Sequence, residues 1–516
     1  MAQVTRRYFF FGSLLAGAIP VGGFGSTPSL KAAGYKSPNE KLNLASIGAG
    51  GQPLADLVDA EAEVENVVAL ADCDWKRGAP GFERYPRAAR YKDFRQMLDK
   101  SGQEIDAVVI GPPDHNHSIC ALACMQLGKH VYVEKPLTKT VWEARLLARA
   151  AEKYRVATQM GNQGYSHDAT RVAAEILWSG EIGDVTEVHG WTGRAAWPLA
   201  IQKTPPPTPV PDTLDWDVWL GGAAWREFTA GDAAYREEAA AQMARNPRRP
   251  SPPVSGRPRT GAALLSSNWS TDFGFYLPWN WRGFYDFSSG YFGDFGIHLF
   301  GPANWALQLH PKYLVSIEVL RKEGTSPFMY AMKNSVRYNF AARGSMPPVS
   351  VYWSDGVDGV GYTPPGMTAE EARRVPGQGP QVGPPSIPWP YNCIFVGSKG
   401  YLGTGGRGEA VGLLPASRWA EYKLPNAYLP RSPGATTGDD HAAHCRDWIR
   451  ACKGGTPACS NFSVSSPYTE WVILGAVASH YEGKLSWDDE KMEFRGNQDA
   501  SRWIRPTYRK GWEPKL

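Results

Sequence analysis

The sequence lacks a strong excess of either charge, and this absence narrows the class of partner. Its 516 residues carry 55 Lys and Arg against 51 Asp and Glu, which leaves a net charge of +4. We therefore do not expect nucleic acid as a partner. Hydrophobic residues make up 42% and charged residues 21%, a balance that excludes a mostly disordered chain. A chain of this length is expected to form about two to four domains.

Cysteine is scarce, and long apolar runs are missing from most of the chain. The seven cysteines form no Cys-x-x-Cys pair and no Cys/His cluster with the spacing of metal ligands, so no metal centre is predicted. His441 and His444 follow Asp439 and Asp440, a pattern that favours a capped surface helix over half of a metal site. No segment beyond the first thirty residues is apolar for long enough to cross a bilayer.

Residues 1–35 are predicted to be a twin-arginine-type signal. Arg6 and Arg7 precede aromatic residues, a short Gly-rich apolar run follows, and small residues stand at 32–33. A membrane anchor is the alternative, but the run Tyr8–Gly25 is short for a span and rich in glycine. We therefore expect an exported protein that works in the periplasm or outside the cell, with no membrane span in its mature form.

A strand followed by a glycine-rich turn predicts a dinucleotide-binding fold. The apolar run 41–47 leads into Gly48 and Gly50, which allow a tight turn and let backbone N–H groups approach a pyrophosphate. Pro53 stands where the third glycine of this fingerprint would fall. A second strand ends at Asp72, at about the distance expected of the acid that binds the ribose hydroxyls.

The charges around position 72 bear on the choice of cofactor. The carboxylate of Asp72 favours NAD, because it would repel the additional phosphate of NADP. Lys76 and Arg77 stand nearby and leave NADP open. Free NAD is scarce outside the cytoplasm, so the predicted export indicates a tightly bound cofactor that is recycled by a second substrate.

Strands and helices alternate through the first third of the chain, a pattern typical of a parallel sheet that binds its ligand at the carboxyl ends of the strands. The later segments instead alternate apolar and polar residues between long Pro/Gly-rich loops at about 204–266 and 355–390. The predicted strands are 41–47, 67–71, 105–110, 130–133, 156–160, 185–189, 314–319, 335–340 and 349–353, with a helix over 141–153.

The ordered series of motifs resembles the Gfo/Idh/MocA oxidoreductases. Its centre is Glu134-Lys135-Pro136 after a strand, behind the glycine-rich turn and the His-containing stretch 113–117. The resemblance implies a Rossmann-type domain at 40–165 with a doubly wound parallel sheet. It also implies a C-terminal α+β domain at 166–516, whose large, mostly antiparallel open sheet closes the nicotinamide pocket. The likeness continues at 161–164, 183–189, 191–194, 214–221, 280–283, 293–298, 451–455 and 508–512.

The resemblance places three residues in catalysis. Lys135 would hold the reacting oxygen at the end of a strand, with a structural ion pair to Glu134 as the alternative. Asp294 and His298 are four apart, which on a helix puts both on one face, so the carboxylate can orient the ring that takes the hydroxyl proton. Many relatives have Asp three residues after this histidine, where the present chain has Gly301.

Two further sets of residues complete the predicted site. Sugar rings offer apolar faces to indoles and hydroxyls to Arg and His, although core packing is an alternative for each tryptophan. The predicted cofactor contacts are Gly48, Gly50, Gly51, Gln52, Asp72, Pro112, His117, Glu134 and Asn162. The predicted substrate contacts are Tyr165, His167, Trp191, Arg194, Trp197, Trp281 and Arg282.

The leading hypothesis is an NAD(P)-dependent oxidoreductase that acts on a hydroxyl of a sugar or glycoside, with C3 as a candidate position. One alternative is an NAD-dependent glycosidase, in which transient oxidation at C3 acidifies the neighbouring C–H, followed by elimination, hydration and re-reduction. Another is a non-catalytic protein that binds sugar or cofactor. By analogy with the family, we also expect a homo-oligomer.

Overall fold

The computed structural model describes residues 40–62, 64–244, 274–372, 379–380, 382, 391–432 and 440–516. The predicted signal lies outside the described residues, as do parts of both long loops. Within the described ranges, none of the helices has the length and apolar character that a membrane span requires.

Fifteen strands are found in the described residues. They are β1 (Asn43–Ile47), β2 (Asn66–Ala71), β3 (Ala89–Tyr91), β4 (Ala107–Ile110), β5 (His130–Glu134), β6 (Thr158–Gly161), β7 (Val185–Trp191), β8 (Leu314–Glu323), β9 (Lys333–Phe340), β10 (Val349–Ser354), β11 (Cys393–Gly397), β12 (Gly400–Thr404), β13 (Val411–Leu414), β14 (Gly483–Asp488) and β15 (Glu493–Phe494).

The helices of the described residues lie between and around these strands. The α-helices are α1 (Gln52–Glu61), α2 (Trp75–Arg84), α3 (Phe94–Ser101), α4 (His117–Gln126), α5 (Val141–Tyr154), α6 (Asp168–Trp178), α7 (Trp216–Leu220), α8 (Ala233–Ala244), α9 (Ile297–Leu299), α10 (Gly301–Leu307), α11 (Ala416–Ala420), α12 (Asp440–Cys452), α13 (Phe462–Ala478) and α14 (Gln498–Ser501). Short 3-10 turns span Asp114–Asn116, Gln163–Ser166, Asn280–Gly283 and Pro311–Tyr313, and a π-helical turn spans Phe292–Gly296.

The first sheet is parallel throughout and has six strands in the order β3-β2-β1-β4-β5-β6. Its central strands are buried because α-helices cover both faces, which explains their nearly continuous apolar sequences. The order of the strands reverses at β1 and β4, where an open α/β sheet forms its ligand crevice. The predicted Rossmann-type sheet is confirmed.

The second sheet has nine strands in the order β13-β12-β11-β7-β10-β9-β8-β14-β15. All of its pairs are antiparallel except β7 with β10. Alternate residues of β9 and β10 are buried, so one face of the sheet packs against the interior, as their alternating sequences predict. The predicted C-terminal α+β domain with a large, mostly antiparallel sheet is confirmed.

One expectation about the second half needs correction. Within the loop predicted at 204–266, the described residues form α7 and α8, so this part is not an extended loop. The sheet meets Lys135 through a helical segment. Phe292 and Phe300 pack against Trp353 of β10, at ring-centroid distances of 5.7 and 5.9 Å. A helical segment that contains the Asp-x-x-x-His motif therefore lies between the sheet and Lys135.

Candidate active site

The glycine-rich turn lies at the carboxyl end of β1 and leads directly into α1. Gly48 and Gly51 have φ angles of +103° and +63°, which a residue with a side chain adopts only with strain. Gly51 caps α1 without a side-chain hydrogen bond, so the helix N-terminus is open to a ligand phosphate. Pro53 occupies the place of the third glycine because its ring fits against Gly48 and Gly111, where a Cβ would come within 2.6 and 2.8 Å of it.

Asp72 lies at the carboxyl end of β2, beside this turn. Its carboxylate accepts hydrogen bonds from the backbone N–H groups of Ala49 (2.8 Å) and Asp74 (3.0 Å). Burial raises its pKa to about 6, although these N–H groups and Arg77 oppose the shift. The backbone of Arg77 packs against Gly50, and its guanidinium lies against Gly51. The acid that would select NAD and a cation that could receive the NADP phosphate therefore stand side by side.

Lys135 meets the C-terminal domain at the carboxyl end of β5. Its Nζ donates to the side chain of Asp294 (2.7 Å) and to the backbone carbonyl of the same residue (2.6 Å). Arg282 also donates to the Asp294 carboxylate, at 3.2 Å. The cations of Lys135 and Arg282 outweigh the effect of burial and lower the pKa of Asp294. Lys135 and Asp294 therefore form a charged pair between the two domains.

Asp294 and His298 differ in their surroundings, although they share one motif. Asp294 lies in the π-helical turn, whereas His298 lies in the short α9 that follows. Asp294 bonds to Lys135 and Arg282, and none of its hydrogen bonds to described residues reaches the ring of His298. The expectation that this carboxylate orients the histidine is therefore wrong for this structure, because the π turn and the two cations direct it elsewhere.

His298 is a buried imidazole with an unused ring nitrogen. Its exposed fraction is 4%, and its Nδ1 has no hydrogen-bond partner among the described residues. Burial lowers its pKa well below the usual range, and the positive charges of Arg407 and Lys135 act in the same direction. A neutral histidine of this kind is suited to accept a proton.

Two other buried polar side chains near these residues have unused atoms. The amide of Asn162, just after β6, is 1% exposed and bonds to no described residue through either polar atom. The hydroxyl of Ser289 is likewise buried without a described partner and lies against Gly293. Buried polar groups are rarely left unpaired in folded proteins, so both are suited to contact a bound ligand.

Several predicted cofactor contacts instead serve the fold. Both ring nitrogens of His117 lie 2.8 Å from backbone carbonyl oxygens, those of Pro136 and Pro112, so neither nitrogen is free for a cofactor. The Glu134 carboxyl accepts from Gln163 (2.8 Å), and burial together with Asp56 raises its pKa well above the usual range.

Two predicted cofactor contacts remain, Pro112 and Gln52. The carbonyl oxygen of Pro112 lies 2.8 Å from Nε2 of His117, and Gln52 turns inward. Its amide donates to Asp56 at 3.0 Å instead of projecting from the start of α1. Of the predicted cofactor set, the glycines, Asp72 and Asn162 therefore retain atoms or backbone that a cofactor could contact.

The predicted substrate residues do not all gather in one place. The guanidinium of Arg282 stacks on Trp281 (4.1 Å to the ring centroid) and on Trp279 (4.4 Å), beside Asp294. An electrostatic interaction with His167 is among the smaller causes that lower the pKa of His298, so His167 lies near this ring.

Trp197 packs edge-on against Tyr291, at a centroid distance of 4.9 Å. With Arg282 it lines a small cavity that also contacts Asn334 and Asp355. Trp197 therefore borders the same region as the Lys135–Asp294 pair.

Three other predicted substrate residues lie in packing or surface positions. Tyr165 is buried against Trp305 and Tyr468, and its hydroxyl accepts from Asn304 at 2.7 Å. Trp191 belongs to a separate apolar cluster and packs against Gly361.

Arg194, the third of these residues, forms a two-point ion pair at 3.0 Å with Asp358, which is largely exposed. The sequence motifs around Tyr165, Trp191 and Arg194 contain nothing that distinguishes packing or surface positions from positions in a pocket.

Gly301 has a steric explanation. A Cβ at this position would lie 3.3 Å from the ring of Tyr165, closer than most such contacts in proteins. An aspartate side chain there would press against this buried ring. The glycine and the packing of Tyr165 therefore belong together.

Three residues near the site are not among those predicted from the sequence. Asp114 accepts from the Ser288 hydroxyl at 2.8 Å and joins the loop after β4 to the C-terminal domain. Trp279 supports Arg282. Arg407 belongs to the β12–β13 loop, whose backbone packs against Gly164. Asp114 lies in the stretch 113–117, one of the motifs that resemble the family, so the sequence could have indicated it. No motif near Arg407 indicates that this residue lies near the site.

His441 and His444 do not act together. His444 contacts the Met160 carbonyl oxygen and the Ser166 hydroxyl, at 2.8 and 2.7 Å. His441 contacts Asp59 through Nδ1 and lies 3.0 Å from Asp56 through Nε2. Hydrogen bonds to these carboxylates outweigh burial and raise the pKa of His441 to about 10. The predicted surface position is wrong for both, because α12 packs against α1.

The glycine turn, the acid after β2 and the open helix end define a dinucleotide-binding site, and comparison with known proteins agrees. Residues 42–162 match the Gfo/Idh/MocA family model, described as an oxidoreductase family with an NAD-binding Rossmann fold. The N-terminal domain is thus similar to the NAD-binding domain of this family.

Curated relatives match over part of their length. An inositol 2-dehydrogenase of Saccharopolyspora erythraea is 34% identical over 125 residues, 24% of this chain and 36% of that protein. A glycosyl hydrolase family 109 protein of Solibacter usitatus is 28% identical over 183 residues, 32% of this chain and 40% of that protein. The chain thus spans well under half the length of these relatives.

Solved structures share the whole architecture at low sequence identity. A dehydrogenase of Chromobacterium violaceum, solved with NADH and UDP-GlcNAcA, has a TM-score of 0.53 and 12% identity and covers 88% of this chain and 98% of that one. An oxidoreductase of Thermotoga maritima has a TM-score of 0.50 and 14% identity and covers 85% and 97%. These similarities establish the two-domain fold.

Proposed function

We propose that the protein is an NAD-dependent oxidoreductase that acts on a hydroxyl group of a sugar or glycoside. The observation that carries this proposal is the Lys135–Asp294 pair at the carboxyl edge of the parallel sheet, together with the buried, neutral His298. The family of the N-terminal domain supports the redox chemistry. The inositol dehydrogenase relative supports a polyol or sugar as substrate.

The residues of the chain fit a bound dinucleotide. The open end of α1 and the glycine turn would hold its pyrophosphate, Asp72 its ribose, and the unused amide of Asn162 a polar group further along. Bound NAD would accept the hydride released from the substrate carbon. We propose NAD over NADP because of Asp72, and tight binding because the protein is predicted to be exported.

Lys135 and His298 would divide the work on the substrate hydroxyl. Two of the three N–H groups of Lys135 are held by Asp294, which leaves one free of any described acceptor and able to donate to the substrate oxygen. The positive charge of Lys135 would stabilise negative charge that develops on this oxygen. His298 would accept the hydroxyl proton at Nδ1, which has no described partner.

A glycosidase that uses transient oxidation is a second candidate. The observation in its favour is the similarity to the glycosyl hydrolase family 109 protein, which extends over more of this chain than that to the inositol dehydrogenase. Its first step, the oxidation at C3, is the same reaction and would use the same groups. Loss of the C3 hydride makes the adjacent C–H acidic, which permits the later elimination. The glycosidase would in addition carry out an elimination and a hydration, and its reduced cofactor would return the hydride within the same catalytic cycle.

Purified protein incubated with a panel of glycosides distinguishes these candidates. Absorbance of the reduced cofactor and sugar products by mass spectrometry are followed together. A keto-sugar that appears with reduced cofactor supports the dehydrogenase, whereas released aglycone without net reduction supports the glycosidase. A protein that binds no cofactor, and whose Lys135→Ala variant behaves as the parent does, would be a binding protein, and both enzymatic proposals would be wrong.

We also propose that the protein is exported by the twin-arginine route. The support is the Arg6-Arg7 pair ahead of a short apolar run. Residues 1–35 fused to a reporter should reach the periplasm, and replacement of both arginines by lysine should keep the reporter in the cytoplasm. Export that is unaffected by this change would contradict the route.

A further inference from the structure

A buried polar cluster, distinct from the pair at Lys135, lies between α1 and α12. On α1, Asp56 and Asp59 are three residues apart, and on α12, His441 and Cys445 are four apart, so each pair shares one face of its helix. Asp56 and Cys445 are completely buried, and the side chain of His441 is 13% exposed. The Oδ2 atom of Asp56 has no hydrogen-bond partner among the described residues.

The cluster gathers two carboxyl groups around one imidazole. Asp56 and Asp59 are both buried beside His441, and the carboxyl of Glu134 lies close to Asp56. Buried polar atoms are rarely left unpaired in folded proteins, so the unused oxygen of Asp56 is suited to bind a ligand.

The geometry points to a divalent metal, and we propose that Asp56, His441 and Cys445 bind a structural zinc ion. One oxygen of Asp56, one ring nitrogen of His441 and the sulfur of Cys445 all lie within 4.8 Å of one another. Tetrahedral zinc with ligand bonds of about 2.0–2.3 Å holds its ligand atoms roughly 3.3–3.8 Å apart, so a small contraction completes the site. A mixed sulfur, nitrogen and oxygen donor set favours zinc over magnesium or calcium.

Two neighbouring residues complete this arrangement. Asp59 contacts Nδ1 of His441, which leaves Nε2 directed at Asp56. A carboxylate behind a histidine in this way fixes the ring and strengthens it as a metal ligand. The amide of Gln52 lies 2.9 Å from the same Nε2, and its oxygen would serve as the fourth ligand after the amide is turned over.

The proposed zinc ion would fasten the helix of the glycine turn to the C-terminal domain. Asp56 and Gln52 belong to α1, which begins at that turn, whereas His441 and Cys445 belong to α12. The position is enclosed by protein, as structural zinc sites are. The proposal does not depend on the proposed function, because these residues lie outside the group formed by Lys135, Asp294 and His298.

Metal content of the full chain tests this proposal. Protein purified without added metal and dialysed is analysed by mass spectrometry of the elements. We expect one equivalent of zinc in the parent protein and in Cys452→Ala, which loses a buried thiol elsewhere on α12. We expect a loss of about tenfold or more in Cys445→Ala and Asp56→Asn, and zinc affinity about 10–100-fold weaker in Asp59→Asn.

Cobalt substitution and thermal unfolding give independent readouts. Cobalt-loaded parent protein should show a thiolate-to-metal charge-transfer band that Cys445→Ala lacks and Cys452→Ala keeps. A chelator should lower the melting temperature of the parent and of Cys452→Ala but not that of Cys445→Ala. A parent protein that holds no stoichiometric metal after purification, or a Cys445→Ala variant that holds as much as the parent, would overturn the proposal.

Discussion

Two histidines of the C-terminal domain, the buried His298 and the partly exposed His441, have surroundings of opposite charge, which shift the pKa of the same kind of ring in opposite directions. Around His298, the positive charges of Lys135 and Arg407 add to burial and lower the pKa of the ring. Around His441, hydrogen bonds to Asp56 and Asp59 outweigh burial and raise the pKa. His298 has an unused ring nitrogen, whereas both nitrogens of His441 contact carboxylates. The region around His298 is suited to proton transfer, whereas the region around His441 is suited to holding α1 and α12 together.

The largest expected effect is the loss of activity in Lys135→Met. The substrate oxygen would lose its charged donor, while Asp294 would keep Arg282 as a partner and the fold would persist. We expect turnover to fall by about 10²–10³-fold, while the amount of bound cofactor stays unchanged. Turnover is measured by steady-state kinetics with a glycoside that the parent protein oxidises. Lys100→Met, at an exposed helix position, is the control. Turnover within a factor of two of the parent would contradict the role of Lys135.

Substitution of each histidine by glutamine should separate the two regions. His441→Gln removes the ring that contacts both Asp56 and Asp59 and leaves these buried carboxyl groups without their partner, so it should lower the free energy of unfolding by about 3–5 kcal/mol. His298→Gln should lower it by less than about 1 kcal/mol, yet reduce turnover by about 10²-fold or more. Denaturant unfolding and kinetics of the same two variants measure both effects. Equal losses of stability would remove the distinction.

A smaller effect is expected at the cofactor's ribose. Asp72→Ala removes the carboxylate that would repel an additional phosphate and leaves Arg77 in place. The ratio of NAD to NADP affinity should shift toward NADP by about tenfold, as measured by calorimetry with each cofactor. Glu83→Ala, an exposed acid on α2, should leave the ratio unchanged. A shift of the same size in both variants would exclude Asp72 as the selecting residue.

The smallest effect concerns the dependence of activity on pH. His298 must be neutral to accept a proton, and Arg407 is the charge that most lowers its pKa after burial itself. In Arg407→Met the pKa should rise, so the acidic limb of kcat/KM should move to higher pH. Arg502→Met, a surface variant remote in sequence from the loop, should retain the parent profile. An acidic limb that stays in place would show that Arg407 does not influence the base.

The sequence predicted the strands better than it predicted the site. The predictions for β2, β7 and β10 fall within two residues of the observed bounds, because a short apolar run specifies β2 and alternating residues specify β7 and β10. The contact of Lys135 with Asp294 joins positions 159 residues apart, and only the resemblance to a family placed them in one site. The burial of Tyr165 depends on Trp305 and Tyr468, which no local pattern connects to it.

The carbonyl of Asp294 has a consequence for how the site tolerates change. Lys135 is held both by the side chain of Asp294 and by its backbone oxygen. Any amino acid at position 294 supplies that oxygen, so a substitution there would alter the charge beside the ammonium group without removing the anchor that aims it. The charge beside the ammonium group of Lys135 and the position of that group therefore depend on different atoms of residue 294. The charge can change by substitution while the backbone contact that holds the position remains.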